Sequence, residues 1–458
     1  MQRLSGTTEP LAVQALWFAG APTSLWAALS RHPAALLLCV MAVLVCAAAS
    51  RSASSVDADR ASIIVARQLY ASSEVPSQSD VGPQLRAPGY PLMLTAMARL
   101  DPGFGSGLSC ASEVPDGCGD AFPFLPLVVL QVLATLLSLV LVYRLALLMS
   151  GSQEVALIAL VLTFICGRFG DMAGGLFSDS WYQLGAISSV YLMASATVRL
   201  NSARLAAAGA YIGLTSLIEP TFLVLAPVAA IATGVAARKQ GARSSIGLAA
   251  CVLAGCAAGV IPFLILAQHL GYDLGAIARH MSWHLAERVA FNQLDALSWW
   301  AGLVKPIPLS DPVVGVLFPT EITSRFGYYV PGTYVYDGAN RIFPDALAQP
   351  GSPHYQMFRL VETHVLLEWR AYVLSSVPIF MRGVFGAAGL IGLLGIMHLP
   401  TMLRWTKTSS RYRATVLVVL MTAALLIANT LLTANPANLN PTLAFAYAYS
   451  IAYVAAGL

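Results

Sequence analysis

The feature that most constrains this chain is a succession of apolar runs, at residues 34–50, 123–149, 154–167, 181–198, 203–218, 221–236, 246–270, 373–398, 413–433 and 441–457. A helix needs about 20 mostly apolar residues to cross the hydrocarbon core of a bilayer. Several runs are shorter than that, and 154–167 is the most marginal. The Glu219-Pro220 pair divides one long apolar stretch into two, because proline ends or kinks a helix. The expected fold is all-α: a polytopic membrane protein with about ten transmembrane helices. Composition agrees. Charged residues make up only 10% of the chain, against about 25% in soluble domains. So few charges would not keep a large fold wetted, and lipid is the natural solvent for most of this surface.

Charge placement orients the set. The segment before the first run carries scattered polar groups and prolines, so that run reads as a retained helix and not as a cleaved signal peptide. With the N-terminus in the cytoplasm, short cytoplasmic connections hold Arg199 and Arg204, then Arg238, Lys239 and Arg243, then Arg404, Lys407, Arg411 and Arg413. The opposite short connections, at Glu219-Pro220 and Asn435 to Asn440, hold no Lys or Arg. This is the positive-inside pattern. It divides the chain into 1–50 (N-terminus and first span), 51–122 (first extracytoplasmic loop), 123–270 (bundle), 271–372 (second extracytoplasmic loop) and 373–458 (C-terminal spans). Loops this long are functional or folded in their own right. Amphipathic pieces within them, such as "ADRASIIVARQLYAS" and "PGYPLMLTAMARL", are expected to lie as helices in the interface plane.

Five of the seven cysteines, Cys39, Cys46, Cys166, Cys251 and Cys256, fall in apolar runs and read as small buried hydrophobes. Cys110 and Cys118 stand apart, in the polar string "CASEVPDGC". An oxidising compartment would let them close a small disulfide; otherwise they are two loop thiols.

The stretch Arg86 to Leu100, "RAPGYPLMLTAMARL", follows an acidic, helix-forming segment just after the first run, "SVDADRASIIVARQLYASSEV". This arrangement resembles the GT-C superfamily of membrane glycosyltransferases, in its protein-mannosyltransferase and aminoarabinose-transferase-like branch. The match covers about 50 residues closely and the layout of the chain loosely. The resemblance implies a GT-C-type bundle. It also implies inverting transfer of a sugar, a hexose or pentose, from a polyprenyl-phosphate donor to a glycan, lipid or protein acceptor on the extracytoplasmic face.

The resemblance also points to particular residues. Transfer to a hydroxyl or amine needs a base to take the acceptor's proton, and Asp57 or Asp59 stands where the family places one. Which of the two stays open, because they point in different directions on a helix, and either one also suits a helix cap. Arg86 corresponds to a basic residue associated with the lipid phosphate, for which guanidinium is a bidentate partner; an interfacial, snorkelling arginine is the competing reading. Asp179, in "GGLFSDSWYQL", would position the acceptor or a metal, or serve with Ser178 as a helix N-cap. One departure stands out: related chains often show Arg-Pro after the fifth span, and here the string "GLTSLIEPTF" places Glu219 in the basic position.

His280 and His284 are four apart on one helix face, a spacing that suits a metal, with Glu287 one turn on; polar groups on an interfacial helix are the plainer reading. The resemblance requires no cofactor, and a divalent metal has no further support. Trp299 and Trp300 read as interfacial anchors, and "RFGYYVPGTYVYDG" (325–338) as a sugar-stacking strip or a packed loop. P-loop, zinc-protease and nucleophile-elbow motifs are absent. A net charge of +4 without blocks of like charge argues against nucleic acid as a partner. The rival classes are a transporter or lipid flippase, which leaves the two long loops unexplained, and a non-catalytic assembly partner, which the Glu219 departure keeps open. Composition suits a bacterial inner membrane with periplasmic loops.

Overall fold

In a computed structural model the chain is described over residues 33–52, 60–71, 88–113, 124–166, 169, 178–269, 275–307, 310–326, 332–347, 352–386, 389–406, 411–433 and 440–456. Among these residues the secondary structure is helical throughout, without strands. Helix α1 (Pro33–Ser52) is followed by three short helices, α2 (Arg60–Ala71), α3 (Gly89–Leu100) and α4 (Pro102–Glu113). The expectation was that such amphipathic pieces lie flat at the interface. They pack on one another. Ile63 and Ala66 of α2, Tyr90, Leu94 and Ala98 of α3, and Phe104 and Leu108 of α4 close a small core together with Phe124 and Leu127. Tyr90 is thus an interior residue, 2% exposed. Burying these faces against protein removes the apolar area that would otherwise drive them to lipid.

The bundle continues with α5 (Leu125–Ser150), α6 (Gln153–Cys166), α7 (Asp179–Arg199) and α8 (Ser202–Thr215). A 3-10 turn (Pro220–Val224) then leads into α9 (Leu225–Ala237), and α10 (Ala242–His269) follows. Helix α7 lies between α5 and α8, and α10 lies along both α8 and α9. The closest approach is between α8 and α10. A β-carbon at Gly209 or Gly213 would stand 2.2 or 2.3 Å from the Val252 or Cys256 carbonyl oxygen. One at Gly255 or Gly259 would stand 2.0 or 2.2 Å from the oxygen of Ala206 or Ala210. Two small-xxx-small stripes therefore interlock, each helix's glycines receiving the other's backbone. This is how membrane helices associate where lipid supplies no hydrophobic drive between them.

The second long segment folds into α11 (Gly275–Val289), α12 (Ala296–Val304), α13 (Asp311–Leu317), α14 (Thr320–Ser324), α15 (Tyr334–Leu347) and α16 (Pro353–Leu360), with a π-helical turn at Val361–Leu366. It too has interior clusters. One joins Trp283 and Ala286 to Phe343 and Leu360; another joins Phe291 and Ala301 to Phe318 and Phe326. Among the described residues, both long segments thus contribute to packed interiors.

The chain ends in α17 (Trp369–Gly386), α18 (Gly389–Thr406), α19 (Tyr412–Leu432) and α20 (Asn440–Ala455). The run 373–398, read from sequence as one span, is two helices, one ending at Gly386 and the next starting at Gly389. The largest core gathers residues of α1, α5 to α10 and α17 to α20, with Val142, Ile187, Ile212, Leu417 and Tyr449 among its fully buried members.

The surface of this bundle is apolar. In Ala242–Ile265 the mean hydropathy reaches 2.4 while only 22% of the window is buried inside the protein. Ile246, Leu253, Ile261 and Ile265 stand exposed along it. Such a face is stable against hydrocarbon and not against water. Among the described residues, four segments are long and apolar enough to span: Leu125–Ser150, Pro220–Gln240, Ala242–Ile265 and Tyr412–Leu432. The bent pair α17–α18 makes a fifth if counted as one span; α1, α6 and α20 contain shorter apolar stretches. Each expected run holds helix, but most of the ten are too short or too polar to qualify singly as a crossing.

Candidate functional site

The turn opening α3 is where sequence-distant elements first meet. The Gly89 N–H donates to the Leu217 carbonyl at 2.8 Å. A β-carbon at Gly89 would stand 2.7 Å from that oxygen and 2.8 Å from its carbon, so only glycine lets the two backbones approach. Behind this contact, the Thr95 hydroxyl donates to the Pro91 carbonyl at 2.8 Å and lies 3.3 Å from the Ala66 carbonyl. Arg99 reaches the Leu69 carbonyl at 3.4 Å. Helix α3 is therefore held on α2 at one side and on the end of α8 at the other.

Leu217 belongs to the two turns that finish α8, where the Leu217 and Ile218 amides bond back to Leu214 and Thr215. Glu219 then turns extended, at φ −143°, and its carboxylate accepts from the Thr221 amide at 3.4 Å. Proline at 220 starts the 3-10 turn, as its fixed φ and missing N–H allow at a helix start. Phe222 meets the Tyr182 ring with centroids 4.8 Å apart. The Tyr182 hydroxyl accepts from Asn429 Nδ2 at 3.4 Å and lies within electrostatic range of both the Glu219 and Asp179 carboxylates. Asp179 is the first residue of α7, half-buried, where a carboxylate favours the helix dipole. Its neighbour Ser178 takes the N-cap position without a side-chain cap bond. Trp181, on the same turn, packs against the cluster that contains Ile63, Ala66 and Tyr90. Residues near 89, 181, 218 and 429 thus form one junction of backbone, carboxylate, phenol and amide groups.

A second set of polar side chains lies next to it. Arg288 of α11 is fully buried. Its Nε donates to the Thr430 carbonyl at 2.8 Å, its Nη1 to the Ser375 hydroxyl at 3.0 Å, and its Nη2 to the Tyr372 carbonyl at 2.7 Å and to the Ser376 hydroxyl. The guanidinium also lies 4.2 Å from the centre of the Tyr372 ring. All four acceptors are neutral, and burial pulls the arginine pKa down to about 10, so it remains a cation at neutral pH. It ties the second long segment to α17 and to the end of α19, beside Asn429. Its neighbour Glu287 points elsewhere and is also buried. Glu287 accepts from Trp283 Nε1 at 2.8 Å and meets His284 Nδ1 at 2.9 Å.

Of the residues singled out from sequence, Asp179 and Glu219 lie in the junction, and Pro88, Gly89, Tyr90 and Pro91 form its third side. Asp57, Asp59, Arg86 and Cys118 lie outside the described residues, as does the side chain of His280. Cys110 is disulfide-bonded, and the five cysteines of the apolar runs are free thiols. His284 is engaged with Glu287. Among the described residues no three His, Cys, Asp or Glu side chains gather as a metal site. Tyr182, Asn429 and Arg288 were not anticipated. Asn429 had a signal, an amide inside an apolar run; Arg288 had none, being one charge among several on an amphipathic helix. The chain has no significant match among protein-family models, curated proteins or solved structures.

Proposed function

We propose that the chain is a GT-C-type membrane glycosyltransferase. It moves a sugar from a polyprenyl-phosphate donor to an acceptor at the extracytoplasmic face, by inverting displacement. In this reading about ten helices span the membrane, that of a bacterial cell with the site facing the periplasm, and residues 51–122 and 271–372 lie outside. Asp57 or Asp59 takes the acceptor's proton, Arg86 binds the donor phosphate, and Asp179 positions the acceptor. Barrier reduction comes from orientation and from stabilising charge on the leaving phosphate.

The observation that carries the reading is the docking of Gly89 on Leu217 at 2.8 Å, with Trp181 packed against the same small core. Arg86 precedes this turn by three residues, and Asp59 immediately precedes α2, the helix against which α3 packs. What supports the reading is that α2 and α3, which follow these positions in the chain, pack together beside the junction that contains Asp179. The Glu219 carboxylate, standing where related chains carry arginine, adds negative charge near Asp179; it favours an acceptor or metal contact there over a donor phosphate. The test is turnover of lipid-linked sugar by Asp57→Asn, Asp59→Asn and Arg86→Ala, made singly. Loss of the base costs about 10²–10⁴-fold in rate. Full activity in all three variants refutes the site.

A further inference from the structure

The second long segment contains a cavity that the junction above does not use. It is an open cleft of about 300 Å³ between the 3-10 turn after α11, the end of α14 and the first turns of α15. That volume is at the lower end of what small-ligand sites hold. Gln293, Arg325, Thr333, Tyr334, Asp337 and Arg341 supply its polar lining.

The cavity is built by backbone and aromatic contacts. Gly332, at φ +91°, turns the chain into α15. Gly338 lies against Ala290, where a β-carbon would come within 2.3 Å of the alanine methyl. The Tyr334 ring is fixed at three points. Its hydroxyl donates to Ser298 Oγ at 2.8 Å, its amide donates to the Arg325 carbonyl at 3.0 Å, and its ring centre is 6.0 Å from that of Phe291. Arg341 is steered by one hydrogen bond from Nη2 to Gln293 Oε1. Arg325 lies over the Tyr334 ring at 6.0 Å. Among the described residues neither arginine forms an ion pair with Asp337, although all three line the same space. Two exposed arginines, one carboxylate and a half-buried aromatic ring thus line one space, with Arg325 also within electrostatic range of Asp295.

This lining has two chemical halves. A guanidinium selects an oxyanion, because its planar donors match carboxylate or phosphate oxygens two at a time. A phenol ring beside a carboxylate and an amide suits a polyhydroxylated ring, whose C–H face lies on the aromatic and whose hydroxyls exchange hydrogen bonds with the rim. We propose that this cavity binds a saccharide bearing one carboxylate or phosphate group, with Arg325 and Arg341 on the oxyanion and Tyr334, Asp337 and Gln293 on the sugar. The proposal is independent of the transferase reading, since binding and not turnover measures it.

The test is saturation-transfer NMR on the detergent-purified full chain, with glucuronic acid, glucose 6-phosphate, glucose and inorganic phosphate as probes. The two anionic sugars bind, and the tighter one identifies the oxyanion. Glucose binds at least about tenfold more weakly, the loss expected for removing a charge-assisted contact. Arg325→Gln and Arg341→Gln each weaken the anionic sugars by a similar factor. Arg325→Lys, which keeps the charge and loses the fork, falls between, and unchanged melting temperatures show that these rim variants remain folded. Three outcomes overturn the proposal: no anionic sugar bound by the wild-type chain, anionic sugars bound by both Gln variants as tightly as by the wild-type chain, or inorganic phosphate bound as tightly as the sugar phosphate.

Discussion

Replacing Gly89 by alanine tests the contact on which the junction depends. The added β-carbon would stand 2.7 Å from the Leu217 oxygen, where ordinary contact begins at 3.4 Å. The start of α3 must therefore retreat by about 0.7 Å, the difference of those two distances. No rotamer relieves the clash, because the opposing atoms are backbone in the turn that ends α8. Overpacking of this kind costs about 1–3 kcal/mol, and stretching the 2.8 Å bond from the Gly89 amide adds to it. That energy corresponds to an increase of about 5- to 150-fold in local opening. Amide hydrogen exchange on the full chain in detergent reads it directly, at the Leu92 to Ala98 amides of α3. Gly247→Ala is the control, since nothing lies within 4 Å of a β-carbon there; it leaves exchange in α3 unchanged. Should Gly89→Ala behave like Gly247→Ala, the α3–α8 contact is not structural and the junction argument fails. In the transferase reading the same displacement lowers turnover by up to about 10²-fold, so exchange and rate move together.

Two further outcomes follow from the packing. Gly255→Leu forces α8 and α10 apart, because even a β-carbon there would meet the Ala206 oxygen at 2.0 Å; stability in detergent falls by about 3 kcal/mol or more, whereas Gly247→Leu on the open part of α10 leaves it nearly unchanged. Asp295→Ala removes the cap of α12, whose carboxylate accepts from the Ser298 amide at 2.7 Å, and costs about 1 kcal/mol. That amide bond holds the Asp295 carboxyl below its ordinary value. The capping contribution is therefore present above the unfolded carboxylate pKa of about 3.9 and is lost as pH falls through the folded value. The exchange difference in α12 between wild type and Asp295→Ala closes on acidification; a difference that persists at low pH would refute the capping argument.

Much of the helical layout was readable along the chain, because apolar length is a local property. Each of the ten runs holds helix, and the break at Glu219-Pro220 falls where proline requires it. The run 373–398 holds parts of two helices, α17 and α18, which apolar length alone did not divide. The amphipathic pieces of the first long segment were rightly read as helices, but periodicity does not say whether an apolar face meets lipid or a neighbour. Ile63, Tyr90 and Phe104 meet one another. The Gly209/Gly213 and Gly255/Gly259 spacings stood in the sequence as a recognisable pattern, yet nothing local said that each pair would receive the other's carbonyls.

Hydropathy by itself determined that the chain would build apolar helices, several of them long enough to cross a membrane, since that follows from which side chains lipid tolerates. The junction was decided only by tertiary structure. Gly89 and Leu217 are far apart in sequence, and their meeting depends on how α3 packs against the end of α8. The burial of Arg288 likewise depends on Tyr372, Ser375 and Thr430, carried by helices that come later in the chain. Such contacts are set by the shapes of packed faces, which no single stretch of sequence contains.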